Sequence, residues 1–427
     1  MPEILPFHAI FYNPTRAALN KVLSPPYDVI SAAERDELYA RDPRNVIRLE
    51  YAKEADPYAH AGRILREWLN TEILVRENEP PIYLLCQRFK GRDGGVVRRK
   101  GFIALCRLEE LEKKTILPHE RTFPKPKEDR LKLLSHAKAM FSPIFSIYSD
   151  PSRLVEELYL HLSSEPPFLS GELEGVSHEI WRLSDAEVIA KLQQVMTGTQ
   201  VFIADGHHRY ETALEYQRIR RSENPRHTGL EGYNHTLMYF CNVEEEGLVI
   251  FPIHRVIRGM KSFDGQEFLK ELSRGFDIQQ FDTSKRLSQA LRDRGRHSFG
   301  IAISGDQEFY LAGLSGGRGS EELIPQHIPG ELKQLDVVLL HAYILPRVLK
   351  VDYQPEADQP RIEFVTDEAH AVALVQRGEA QVAFLLNPTP VDQIQAVARA
   401  GLTMPQKSTY FYPKLPAGLL MYDLEHF

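Results

Sequence analysis

The chain has 427 residues, 43% hydrophobic and 26% charged, with 52 Lys and Arg against 59 Asp and Glu for a net charge of −7. This length points to two domains rather than one core, and the acidic excess argues against a general polyanion binder while leaving room for one basic cleft. Three scattered cysteines, Cys86, Cys106 and Cys241, form no C-x-x-C pair, which excludes a thiolate zinc site and a disulfide framework and suits a reducing, cytoplasmic setting.

The first residues, MPEILPFHAIFYNP, lack the basic-then-apolar order of an export signal. Pro25-Pro26 sets an extended turn ahead of a helix expected over 31–40, with Ser31 as its N-cap. Apolar residues at helical spacing predict an amphipathic helix over 58–69. Strands are expected over 82–86 and 101–108, joined across the polar turn 91–95. A loop follows at 117–126, stiffened by Pro118, Pro124 and Pro126, and then a helix over 128–140. Segments 163–178 and 221–234 read as surface connections, and 315–330 as the best linker. Beyond it the pattern predicts a helix over 334–345, a strand over 361–365, a helix over 368–377, a strand over 382–386 and a helix over 391–400. The longest apolar run, 337–345, is interrupted by His341 and stopped by Pro346, about half of what a membrane span needs. The alternation of strand-like and helix-like segments places the chain in the mixed α/β (α+β) class.

The densest chemistry lies at Ala204-Asp205-Gly206-His207-His208-Arg209. Val201 to Ala204 is a compact apolar strand, and Tyr210, Ala213, Leu214 and Gln217 fall on one face of a helix. A strand, a glycine turn and a helix start together present backbone N–H groups and the positive helix end to an anion. Gly206 lets the backbone approach closely, Arg209 adds a fork of donors suited to phosphate, and one histidine can move a proton near neutral pH. A helix simply capped by Asp205, with surface histidines, is the plainer alternative. Adjacent histidines seldom ligate one metal ion together, and no carboxylate stands at H-E-x-x-H spacing.

The segment VFIADGHHRYETA resembles the phosphate-binding turn of the ParB and sulfiredoxin superfamily, and its Asp-Gly-His-His-Arg form resembles that superfamily's free serine kinases. Three further segments, SPPYDVI at 24–30, LPHERTFP at 117–124 and MPQKSTYFYPKL at 404–415, are similar to the family catalogued as domain of unknown function 1015. The resemblance implies a ParB/sulfiredoxin-like nucleotide-binding core over 1–314 and an additional α/β region over 331–427 that completes the active-site cleft. It implies ATP or ADP as cofactor, with Mg²⁺ held by the nucleotide phosphates rather than by the protein alone.

Within the 117–127 loop, Glu120 is the candidate general base, Arg121 a candidate phosphate contact, and Lys125 and Lys127 add positive charge. A solvated loop with local ion pairs is the alternative. Asp205 and His208 are the other candidate catalytic groups. Asp205, Gly206, His207, His208, Arg209, Arg121, Lys407, Ser408 and Thr409 are expected to bind nucleotide. Tyr27, Asp28, His119 and Thr122 are expected to bind substrate. Lys407-Ser408-Thr409 has no glycine-rich loop before it and is not a P-loop; a strand packed on the core explains it equally. His254-Arg255, in an apolar run, reads as a core histidine and its neighbour.

The expected activity is that of a small-molecule kinase, moving phosphate from ATP or ADP to a metabolite hydroxyl, with free L-serine the leading acceptor. Two other readings stay open: a nucleotide-switched binding protein of the ParB type, and a His/Asp metal-dependent hydrolase. No helix-turn-helix or basic stretch follows the turn, so neither nucleic acid nor membrane is expected as a partner, and a homodimer stays open.

Overall fold

The computed structural model describes residues 1–92, 94–162, 164–260, 262–316, 319–351 and 362–426. Asp93 of the expected turn, Ser163 of an expected connection, Gly317 and Arg318 of the expected linker and Arg361 of an expected strand lie outside them. The chain is a mixed α and β protein in two units, one formed by 1–118, 122–249 and 413–427, the other by 119–121 and 250–412. The sequence placed the break at 315–330, but that stretch lies inside the second unit. The reason is sheet topology: strands from both sides of it hydrogen-bond to one another.

Among the described residues of the first unit, nine strands form one mixed sheet. Its order is Ile116–Leu117, Val201–Asp205, Ile144–Tyr148, His235–Asn242, Val96–Arg107, Ile82–Lys90, Val176–Leu183, Leu169–Leu173, with Ile4–Leu5 against Val96–Arg107. Two pairings are parallel, Val201–Asp205 with Ile116–Leu117 and His235–Asn242 with Ile144–Tyr148. The expected hairpin across 91–95 is present as the antiparallel pair Ile82–Lys90 and Val96–Arg107. One sheet face carries Ile82, Leu84, Phe102, Ala104, Ile203, Met238 and Phe240, which pack with Tyr159, Leu192, Met196, Tyr210 and Leu214 from helices into the main core.

The helix Ala32–Arg41 begins as expected at Ser31, whose hydroxyl accepts from the Glu34 N–H while the Glu34 carboxylate accepts from the Ser31 N–H. The helix Pro57–Asn70 starts on a capping Asp56. Two expectations for elements of this unit need correction. The helix expected over 128–140 runs over Pro124–Ala137, because prolines in a first turn lack only N–H groups that the helix cannot bond. Most of 163–178 is no simple connection: Leu169–Leu173 and Val176–Leu183 form a hairpin. Its two turn residues, Glu174 and Gly175, both have positive φ, 51° and 77°, as a tight two-residue turn requires.

In the second unit, six antiparallel strands lie in the order Phe276–Phe281, Phe309–Leu314, Ser298–Ile303, Val382–Leu385, His254–Ile257, Ile362–Val365. Helices Ser284–Arg294 and Glu368–Gln376 supply Leu287, Leu291, Ala371, Val372, Leu374 and Val375 to the core on one face. His254 is buried, and its Nδ1 accepts from the Leu386 N–H at 3.2 Å, as a core histidine should. The helix expected over 334–345 does not end before Pro346: Asp336–Leu339 continues as a π-helix over Leu340–Val348, whose wider winding accommodates the proline. Among the described residues no helix is long and apolar enough to cross a membrane.

Candidate functional site

The strand Val201–Asp205 ends at Gly206, whose φ of +94° only glycine adopts at low cost, and the helix His207–Glu223 follows at once. The N-cap position is held by Gly206, which has no side chain to offer, rather than by Asp205. A Cβ at position 206 would lie 2.9 Å from Arg209 Nη2. Gly206→Ala is therefore expected to lower stability by about 1–2 kcal/mol from the left-handed backbone alone, measured as a fall in the urea midpoint, with Arg209 pushed from its place.

Arg209 is largely buried, and its guanidinium is already engaged. Nη1 donates to Ser142 Oγ at 2.9 Å and to the Pro143 carbonyl at 2.7 Å, and Nη2 donates to Asp205 Oδ2 at 2.9 Å. The sequence suggested an open phosphate fork; the structure shows a side chain that also braces the turn. Asp205 accepts a second charged bond, from Lys414 Nζ, on Oδ1. Burial alone would push its carboxyl up, but Lys414 and Arg209 outweigh burial and hold it at about 2.

His207 is buried, while His208 is half-buried and stacks on Phe123. His208 Nε2 accepts from the Phe123 N–H at 3.0 Å, so in this arrangement that nitrogen carries no proton. The same stretch is tied to the turn's helix twice more: Thr122 Oγ1 and Lys127 Nζ both donate to Glu211 Oε2, at 2.7 and 2.8 Å. Residues 122–127 are thus fastened to the helix that follows the turn.

Tyr27 and Asp28 sit on the short 3-10 helix Tyr27–Val29, Asp28 exposed and Tyr27 half-buried beneath the Arg130 guanidinium, 4.1 Å from its ring. Burial, then the Asp28 charge, raise the Tyr27 hydroxyl above its ordinary range against Arg130 and Arg209. Four residues of this first unit were not anticipated as site residues: Glu50, Arg130, Ser142 and Lys414. Lys414 stood inside the similar segment at 404–415, two residues after its aromatic run, which was the one signal for it.

The remaining expected residues belong to the second unit. His119 is buried, its Nε2 3.1 Å from Thr409 Oγ1 and its ring tilted against Phe411. Glu120 pairs as a single parallel bridge with Met404, whose N–H donates to the His119 carbonyl. Arg121 and Lys407 are exposed. The Lys407 carbonyl accepts from buried Arg255, while the Ser408 hydroxyl turns onto the Pro405 carbonyl and its own carbonyl accepts from Thr389. The unit therefore brings His119, Glu120 and Arg121 together with Lys407, Ser408 and Thr409, two segments far apart in sequence.

No curated protein matches the chain. Among solved structures it is similar to a free serine kinase in complex with AMP, with 12% identity, a TM-score of 0.34, and 74% of this chain and 90% of that chain covered. It is similar to a conserved hypothetical protein from Pyrococcus furiosus, with 13% identity, a TM-score of 0.34, and 74% and 94% covered. SbnI with a C-terminal truncation, from Staphylococcus aureus, gives 13% identity, a TM-score of 0.33, and 73% and 84% covered. A family model matches residues 4–338, well over half of the sequence, and the chain belongs to that family, described as Protein of unknown function (DUF1015).

Proposed function

We propose that the chain is a phosphotransferase of the ParB/sulfiredoxin type, a small-molecule kinase that uses ATP or ADP to phosphorylate a metabolite hydroxyl, with free L-serine the leading acceptor. The observation that carries the reading is the start of the helix His207–Glu223 directly behind Gly206, where the positive end of the helix dipole favours an anion. The Arg209 guanidinium packs against the side-chain-free position of Gly206, which sets a fork of phosphate-binding donors beside the helix start. Phosphoryl transfer needs positioning and charge neutralisation more than covalent help from the protein, and Mg²⁺ on the phosphates supplies part of that neutralisation.

In this reading Asp205 through Arg209 hold the phosphates, and Arg121, Lys407, Ser408 and Thr409 add nucleotide contacts. Tyr27, Asp28, His119 and Thr122 orient the acceptor, and Glu120 takes the proton from its hydroxyl. His208 acts by fixing Phe123 and the start of the helix Pro124–Ala137. The test is a phosphorus NMR screen of hydroxyl metabolites, serine among them, with ATP and with ADP. Product from serine supports the whole reading; nucleotide binding without any product removes the kinase and leaves a nucleotide-binding protein.

Nucleotide binding is expected without zinc, and turnover only with Mg²⁺ or Mn²⁺. Among the described residues no group of three or more His, Cys, Asp or Glu side chains is placed to hold a metal ion. Elemental analysis of the purified protein checks the first half. Stoichiometric zinc, lost on substitution of His207 or His208, would favour a hydrolase instead.

A further inference from the structure

Glu50 closes the short helix Ile47–Glu50 and is 4% exposed. Arg130 Nη1 lies 3.7 Å from its Oε1, and Ser142 Oγ donates to the same oxygen at 3.4 Å. Ser142 accepts in turn from Arg209 Nη1, so one hydroxyl links Glu50 to the arginine of the turn. Glu50, Arg130, Ser142, Arg209 and Thr212 line a cavity of about 50 Å³. That is room for one or two water molecules. The Thr212 hydroxyl, 3% exposed on the helix of the turn, faces this environment without a hydrogen-bond partner among the described residues.

Asp129 lies beside Arg130 on the helix Pro124–Ala137, and Tyr27 and Asp28 lie on the 3-10 helix. Burial raises the Glu50 carboxyl, Arg130 and Arg209 lower it, and Asp28 raises it again, leaving it above its ordinary value. A buried carboxylate is tolerable only with paired charge, and here that charge is Arg130, with Arg209 of the turn one hydroxyl away through Ser142.

We propose that Glu50 is a built-in counter-anion of the turn, competing with an incoming dianion for Arg130 and Arg209, so that anion binding is coupled to uptake of a proton by Glu50. The proposal rests on the anion-binding reading of the turn. A second negative charge near Glu50 favours its neutral acid, and by linkage the neutral acid favours the second negative charge. The sign follows: affinity for a dianion rises as pH falls through the raised Glu50 value. Asp205, held at about 2 by Lys414 and Arg209, does not titrate in that range.

The test is calorimetric titration with sulfate, a dianion throughout, from about pH 5 to 8, in two buffers of different ionisation enthalpy. Wild-type protein should bind more tightly toward low pH and take up a fraction of a proton per sulfate. Glu50→Gln should bind at the alkaline end on the order of tenfold more tightly, with a flatter pH profile and reduced proton uptake. Wild-type affinity, slope and uptake in Glu50→Gln would overturn the proposal. Should that variant not fold, Ser142→Ala decides: loss of the hydroxyl bond favours the neutral acid and should move the rise in affinity to higher pH. An unmoved profile in Ser142→Ala counts against coupling. Wild-type protein that binds no sulfate at any pH overturns the anion-binding turn itself, a result separable from all of these.

Discussion

Arg209→Ala should destabilise the protein by about 3–5 kcal/mol, the range for removing one partner from a buried charged pair. The loss is large because three acceptors depend on this guanidinium: Ser142 Oγ, the Pro143 carbonyl and Asp205. Asp205 keeps Lys414, which places the effect toward the lower end of that range. Arg209→Lys keeps the charge but not the three-way geometry, and should recover only a minor part. Urea unfolding measures both. The effect has a pH signature. Because the folded Asp205 carboxyl is depressed, the contribution is full above the unfolded carboxyl value of about 4 and disappears as pH falls toward 2. The gap between wild type and Arg209→Ala should narrow across that window. At conditions where the variant is still folded, ADP affinity should fall by about 1.5–3 kcal/mol for a lost charge-assisted contact. Unchanged ADP affinity would assign Arg209 to bracing alone and leave the helix N-terminus to hold the anion.

The turn was legible because every part of it is local. An apolar strand, a glycine and a helical repeat lie within 17 consecutive residues, 201–217, and each carries its own signal. The side chains that set its electrostatics are not local. Lys414 lies 209 positions from Asp205. Glu50 and Arg130 meet 80 positions apart, and Ser142 is 67 from Arg209. A charged residue destined for a buried pair looks, in sequence, like any surface charge. The hairpin Leu169–Leu173 and Val176–Leu183 was hidden for a related reason: its first strand reads Leu-Ser-Gly-Glu-Leu, with the middle residues exposed or half-buried and apolar side chains only at its ends. The unit boundaries were hidden by topology. The second sheet interleaves strands from 254–314 with strands from 362–385, and no local pattern announces that pairing.

In the proposed serine kinase reaction, Glu120→Gln should lower kcat by about 10²–10⁴-fold, the usual contribution of a general base, while leaving ADP affinity nearly unchanged. Serine's hydroxyl is a poor nucleophile at neutral pH, so removal of its proton in the transition state should govern the rate. Glu120 is the candidate because its backbone is held in register by the bridge to Met404 and its neighbour His119 is buried against Phe411 and Thr409, so the carboxylate rises from a fixed segment. The rivals are Asp28, exposed beside Tyr27, and Asp205. Asp205 is the poorer base, since a carboxyl held at about 2 by Lys414 and Arg209 has little affinity for a proton at neutral pH. Asp205→Asn should instead weaken nucleotide binding and stability together, because Lys414 and Arg209 would then face each other without a counter-charge. The three isosteric variants therefore separate by parameter. A drop confined to kcat marks the base, and joint loss of stability and affinity marks the brace. If Asp28→Asn shows the large kcat loss and Glu120→Gln remains active, the proton passes to the 3-10 helix of the first unit, and His119, Glu120 and Arg121 keep only a binding role.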